Sequence, residues 1–127
     1  LGLEKNIVFH KKVMQQELFA EYIKKDCFLF PSLLEISSTA VMEAMFCGLL
    51  PISLDIRCME FIYENSPAIR VPCVSPVVDA KEIADRILSL EAAEIKKMKD
   101  ACYDFAKNHF VWETRKSEIT SLLNKLG

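Results

Sequence analysis

Apolar and polar positions fall into short blocks along the chain, and the period of the pattern changes from block to block. Residues 27–30, Cys-Phe-Leu-Phe, form an unbroken apolar run closed by Pro31, which has no N–H to give a sheet ladder. The run therefore reads as a buried strand ending at Pro31. Residues 40–47, Ala-Val-Met-Glu-Ala-Met-Phe-Cys, are apolar on every helical face but one, the pattern of a helix buried on most sides. Ser37 or Ser38 can cap its start, and Gly48 followed by Pro51 ends it. Ahead of these lie an apolar strand candidate at 6–10 and a helix over 15–25 with Leu18, Phe19, Tyr22 and Ile23 at helical spacing. After them come a strand at 50–53, a short helix at 59–64 and a strand at 68–71. From Asp79, a candidate cap, the chain is helical, with apolar faces at Ile83, Ala84, Ile87 and Leu88 and then at Ile95, Met98, Cys102 and Phe105. A last helix carries Ile119, Leu122, Leu123 and Leu126, with Trp112 just ahead of it as an expected packing anchor.

Strands alternating with helices predict an α/β fold: a Rossmann-like parallel sheet of about four strands with C-terminal helices, in one domain spanning 1–127. Right-handed crossovers join the strands. The segment 15–25 is long enough for an ordinary crossover, so the strand at 6–10 is expected to close directly onto 27–30, giving the order 6–10, 27–30, 50–53, 68–71. One sheet face is then thinly covered, and the remaining exposed apolar surface predicts self-association.

Glu43 is the polar exception in the apolar helix, and a carboxylate there is costly to desolvate unless donors meet it. Either it reaches water at the helix edge, or a ligand hydroxyl supplies its partner. Glu35 lies in the preceding loop, eight positions earlier. A fully helical segment of that length spans about 12 Å, comparable to a diphosphate sugar. Between the two carboxylates, the free N–H groups near Ser38, Thr39 and Ala40 and the helix dipole make an anion site.

The ordered set Pro31-Ser32, Glu35, Glu43-Ala44-Met45, Gly48 and Pro51 resembles the signature block of retaining GT-B glycosyltransferases of the glycosyl transferase group 1 type, family 4-like. The resemblance implies a hexosyltransferase-like enzyme that moves a glycosyl group from a nucleotide-sugar donor with retention. It implies that Glu35 contacts the donor sugar near the reacting centre and that Glu43 binds the nucleotide ribose. Amides of Ser37 and Ser38 would face the sugar, and those of Thr39 and Ala40 the distal phosphate. Phe110 and Trp112 match an aromatic pair near the family's C-terminal helices, and Glu60 matches a glutamate in a glycine-containing turn. His10 stands where the family often has glycine. In place of the usual Glu-Gly-x-Gly the chain has Glu35-Ile36-Ser37-Ser38, and a β-branched Ile36 at positive φ would be strained, so a different local backbone is expected.

The resemblance covers the latter part of a C-terminal donor-binding domain, so the chain is expected to be a fragment, a truncated gene product or one part of a split enzyme, inactive alone. A sugar or lipid-linked acceptor would be bound through an N-terminal domain outside this stretch. The alternative is a non-catalytic Rossmann-like binding or interaction domain that has lost transferase activity.

Composition narrows the picture. Net charge is −2, with basic and acidic residues interspersed, which points away from nucleic acid. The five cysteines, Cys27, Cys47, Cys58, Cys73 and Cys102, form no Cys-x-x-Cys pair and read as free thiols. With only His10 and His109 beside them and no Asp-x-Asp, no metal and no cofactor are expected. The chain has no apolar run of membrane-spanning length and opens without a signal-peptide pattern, so a cytoplasmic protein is expected.

Overall fold

The computed structural model describes residues 2–73 and 80–126. The elements run α1 (Gln15–Tyr22), β1 (Cys27–Phe30), α2 (Thr39–Phe46), β2 (Leu50–Asp55), α3 (Arg57–Ile62), β3 (Ile69–Pro72), α4 (Ala80–Leu88), α5 (Ala92–His109) and α6 (Trp112–Leu126). The three strands form one parallel sheet in the order β1-β2-β3. Cys27 pairs with Leu50 and Phe30 with Ser53, while Ile52 pairs with Ile69 and Asp55 with Pro72. β2 is bonded on both sides, and every residue from Leu50 to Leu54 is buried, which is why its sequence is a run rather than an alternation.

Side-chain period 2 puts Phe28 and Leu29 on opposite faces of the sheet. The Tyr22 ring lies 5.5 Å from that of Phe28, so α1 covers one face. Ile83, Ala84 and Ile87 of α4 line a cavity of about 400 Å³ with Leu29 and Leu54, so α4 covers the other. α5 packs along α2, and its buried residues Cys102 and Ala106 are small. Lys99 pins α5 to the turn before β1, donating to Asp26 at 2.9 Å and to the Lys25 carbonyl at 3.1 Å.

Helix α2 ends in a Schellman motif. The Leu49 amide reaches the Ala44 carbonyl at 3.0 Å, the Gly48 amide reaches that of Met45 at 2.9 Å, and Gly48 sits at φ +73°. A Cβ at Gly48 would meet nothing within 4 Å, so the cost of a side chain there is backbone strain alone. Gly48→Ala is expected to destabilise the fold by about 1–2 kcal/mol. Equilibrium urea unfolding checks this, and an unchanged midpoint would refute it.

Three expectations are corrected. Among the described residues the sheet has three strands, not the four expected: residues 6–10 form no strand, and Val8 and Phe9 are 76% and 91% exposed. Backbone pairing does not hold a strand by itself; burial of its side chains does, and Val8 and Phe9 have little. Trp112 opens α6 with 66% of its surface exposed and anchors nothing in the core. That role falls to Phe110, edge-on to Tyr63 at 5.9 Å and to Phe105 at 5.7 Å. Leu88 is exposed as well, so the apolar face of α4 is centred on Ile83 and Ile87. Asp79, the expected cap, lies outside the described residues. Among the described residues no helix is long and apolar enough to cross a membrane.

Candidate functional site

In a parallel sheet, the loops leaving the carboxyl ends of the strands gather on one side, and open α/β folds bind ligands there. Here that place is the loop from Pro31 to Ser38 and the first turns of α2. The Ser32 hydroxyl donates to the Leu34 carbonyl at 2.9 Å and the Thr39 amide to the Ser37 carbonyl at 2.9 Å, which tightens both ends of the loop. Among described non-glycine residues only Asn65 has positive φ, so Ile36 avoids that conformation.

Ser38 occupies the N-cap position, but its hydroxyl turns inward to the Met59 sulfur at 3.2 Å rather than capping the helix. Its carbonyl accepts from the Tyr63 phenol at 2.7 Å and from the amides of Val41 and Met42 at 3.0 and 3.2 Å. Ser38 is buried, and the start of α2 is thereby locked to α3 and the residue that follows it. Ser37 and Thr39 are exposed and Ala40 is half-buried, so the first turn of α2 also has an open side. That turn carries the amides that an α-helix leaves without intrahelical acceptors.

Each of the two carboxylates accepts a hydrogen bond. Glu43, half-buried, accepts from the Gln15 side-chain amide at 2.9 Å, which ties it to the start of α1. Burial, reinforced by the Glu43 charge, pushes the Tyr22 phenol and the Cys47 thiol above their ordinary pKa ranges. Glu35, also half-buried, accepts from the Ile36 amide at 3.2 Å. Burial pushes the Tyr63 phenol well up, with the charges of Cys58 and Glu35 adding to the effect.

The other sequence candidates sit on neighbouring elements. Arg57 and Glu60 are exposed on α3, and exposed His10 lines a cavity of about 400 Å³ with Val13, Leu18 and Tyr22. Asp55 and Arg70 pair at 3.4 Å at the carboxyl ends of β2 and β3. Among the described residues, no three His, Cys, Asp or Glu side chains gather closely enough to hold a metal ion. Sequence reasoning missed Gln15 and Tyr63. Nothing in the pattern separates Gln15 from a solvated helix residue; Tyr63, four positions after Met59, carried the only usable signal, a shared helical face.

A family model of the glycosyl transferases group 1 matches residues 1–109, taking in all three strands, the Pro31–Ser38 loop and the helices through α5. The chain belongs to the glycosyl transferases group 1 family. A comparison with curated proteins finds no match. The activity of a group 1 glycosyl transferase is movement of a glycosyl group from a donor to an acceptor. Of the described elements, α6 alone lies beyond the stretch matched to the family.

Proposed function

We propose that the open turn of α2 and its flanking carboxylates form the donor site of a retaining glycosyl transfer. Glu43 accepts the ribose hydroxyls of a nucleotide diphosphate sugar, and Glu35 faces the sugar near the reacting carbon. Amides of Ser37 and Ser38 lie toward the sugar, and those of Thr39 and Ala40 toward the distal phosphate, where the positive end of the α2 dipole meets the leaving diphosphate. Stabilising that charge lowers the barrier to an oxocarbenium-like transition state, and the sugar transferred is a hexosyl group. The observation that carries this reading is the setting of one helix start: Glu43 accepts from Gln15 at the start of α1, Glu35 accepts from the Ile36 amide in the preceding loop, and Ser37 and Thr39 between them are exposed. Acceptor recognition belongs to a further domain, and the chain by itself binds donor without turning it over.

Titration calorimetry against nucleoside diphosphates and nucleotide sugars tests the reading. Glu43→Gln keeps the shape of the side chain and removes the charged acceptor; hydrogen bonds to charged groups contribute roughly 1.5–3 kcal/mol, so affinity should fall by about 10- to 150-fold. A chain that binds no nucleotide, or that binds equally well as Glu43→Gln, would overturn it.

A further inference from the structure

Helices α1 and α2 lead through short connections into β1 and β2, which are parallel. Both helices therefore begin at the carboxyl ends of the strands, and the start of α1 borders the same side of the sheet as the turn described above. Gln15 is the first residue of α1. The Glu17 carboxylate accepts from the Met14 amide at 3.2 Å and fixes that helix start. From this position the Gln15 Nε2 crosses to the Glu43 Oε1 at 2.9 Å, a bond between residues 28 apart in sequence.

The chemical type of this partner matters. A lysine or arginine at the same place would neutralise Glu43 and compete with a ligand for it. A carboxamide instead donates one neutral hydrogen bond and leaves the negative charge in place. An ionised carboxylate accepts at about four lone-pair sites, so one donor bound at Oε1 leaves capacity at Oε2 for a pair of adjacent hydroxyls. The bond also removes rotamer freedom from Glu43 before a ligand arrives, which is how supporting contacts sharpen a site. The raised pKa of the Tyr22 phenol and the Cys47 thiol, partly caused by Glu43, agrees with a carboxylate directed into the seam between α1 and α2.

We propose that Gln15 is a positioning residue that aims Glu43 at the ribose diol of the bound nucleotide and so sets the preference for ribose over sugars lacking those hydroxyls. The proposal depends on the reading of Glu43 as the ribose acceptor.

The test uses the whole chain and two sets of probes: uridine, guanosine and adenosine diphosphates, and their 2′,3′-dideoxy counterparts. Gln15→Met preserves length and removes the donor. It should weaken the ribonucleotide that binds by about 3- to 10-fold, the range for one neutral hydrogen bond, while its dideoxy counterpart binds as to the unmodified chain. The thermal midpoint of Gln15→Met should stay unchanged, since the Gln15–Glu43 bond is exposed. Glu43→Gln should abolish the ribose preference. Equal weakening of both probes by Gln15→Met, or weakening of neither, while Glu43→Gln abolishes the preference, overturns the role of Gln15 alone. A ribose preference that survives Glu43→Gln, or its absence from the unmodified chain, overturns the reading of Glu43 and this proposal with it.

Discussion

Tyr63→Ala should remove about 3–5 kcal/mol of stability, the usual cost of deleting a large buried aromatic, from a fold whose total is of the order of 5–15 kcal/mol. Tyr63 is fully buried and touches three parts of the chain at once. Its ring stands edge-on to Phe110 at the end of α5, it follows α3 directly, and its phenol holds the Ser38 carbonyl at the start of α2. Deletion leaves a cavity where those elements meet. Tyr63→Phe separates the ring from its hydroxyl. The Ser38 carbonyl keeps the amides of Val41 and Met42, so no buried acceptor is orphaned and the loss should be about 0.5–1.5 kcal/mol. Urea unfolding of both variants measures the difference. If Phe costs as much as Ala, the hydrogen bond and not the ring holds this junction.

A steep loss of stability above pH 9 is the second large expectation. Burial pushes the Cys102 thiol up to about 12, so the folded chain keeps a proton there that the unfolded chain releases. Over that window the native state binds more protons, and stability falls as pH rises. The contribution is fully present below the unfolded value of about 8.5 and is lost toward 12, at about 1.4 kcal/mol per pH unit while the folded thiol stays protonated. Cys27 and Cys47, raised chiefly by burial, act in the same direction, and the Tyr63 phenol joins above about pH 10. Urea midpoints measured from pH 7 to pH 11 should trace this decline, and Cys102→Ala should flatten the slope by about one proton's worth. A profile that stays level to pH 11 would refute the account.

Where one residue's chemistry decided the local structure, it was legible in advance. Pro31 ends β1 because it cannot donate, and Gly48 ends α2 because only glycine takes its φ cheaply; both boundaries fall where the pattern put them. Where the outcome depended on a distant surface, the pattern was silent. Residues 6–10 have the apolarity of a strand, but apolarity does not report whether a covered edge is available to receive it. Phe110 and Trp112 are two positions apart and equally aromatic, and only the location of Tyr63 and Phe105 decides which is buried. β2 extends two residues beyond the expected 50–53 because Leu54 and Asp55 find partners in Val71 and Pro72. At the site, the prominence of Glu35 and Glu43 came from their setting in the sequence. The bond from Gln15 joins two polar residues far apart in the chain, and such a pairing leaves no local trace.

A sheet whose neighbouring strands are all parallel contains no hairpin, and this governs how the chain must assemble. Neither pairing of β2 can zip outward from a tight turn. Each requires closing a loop of about twenty residues before a single interstrand bond forms, an entropy cost met only when the intervening helix docks at the same time. β2 belongs to both pairings, so the earliest native-like kernel must contain it together with α2 or α3. Removing a methyl from that strand, as in Ile52→Val, should accordingly slow refolding more than it speeds unfolding, whereas trimming the exposed Leu122 of α6 should leave the refolding rate alone.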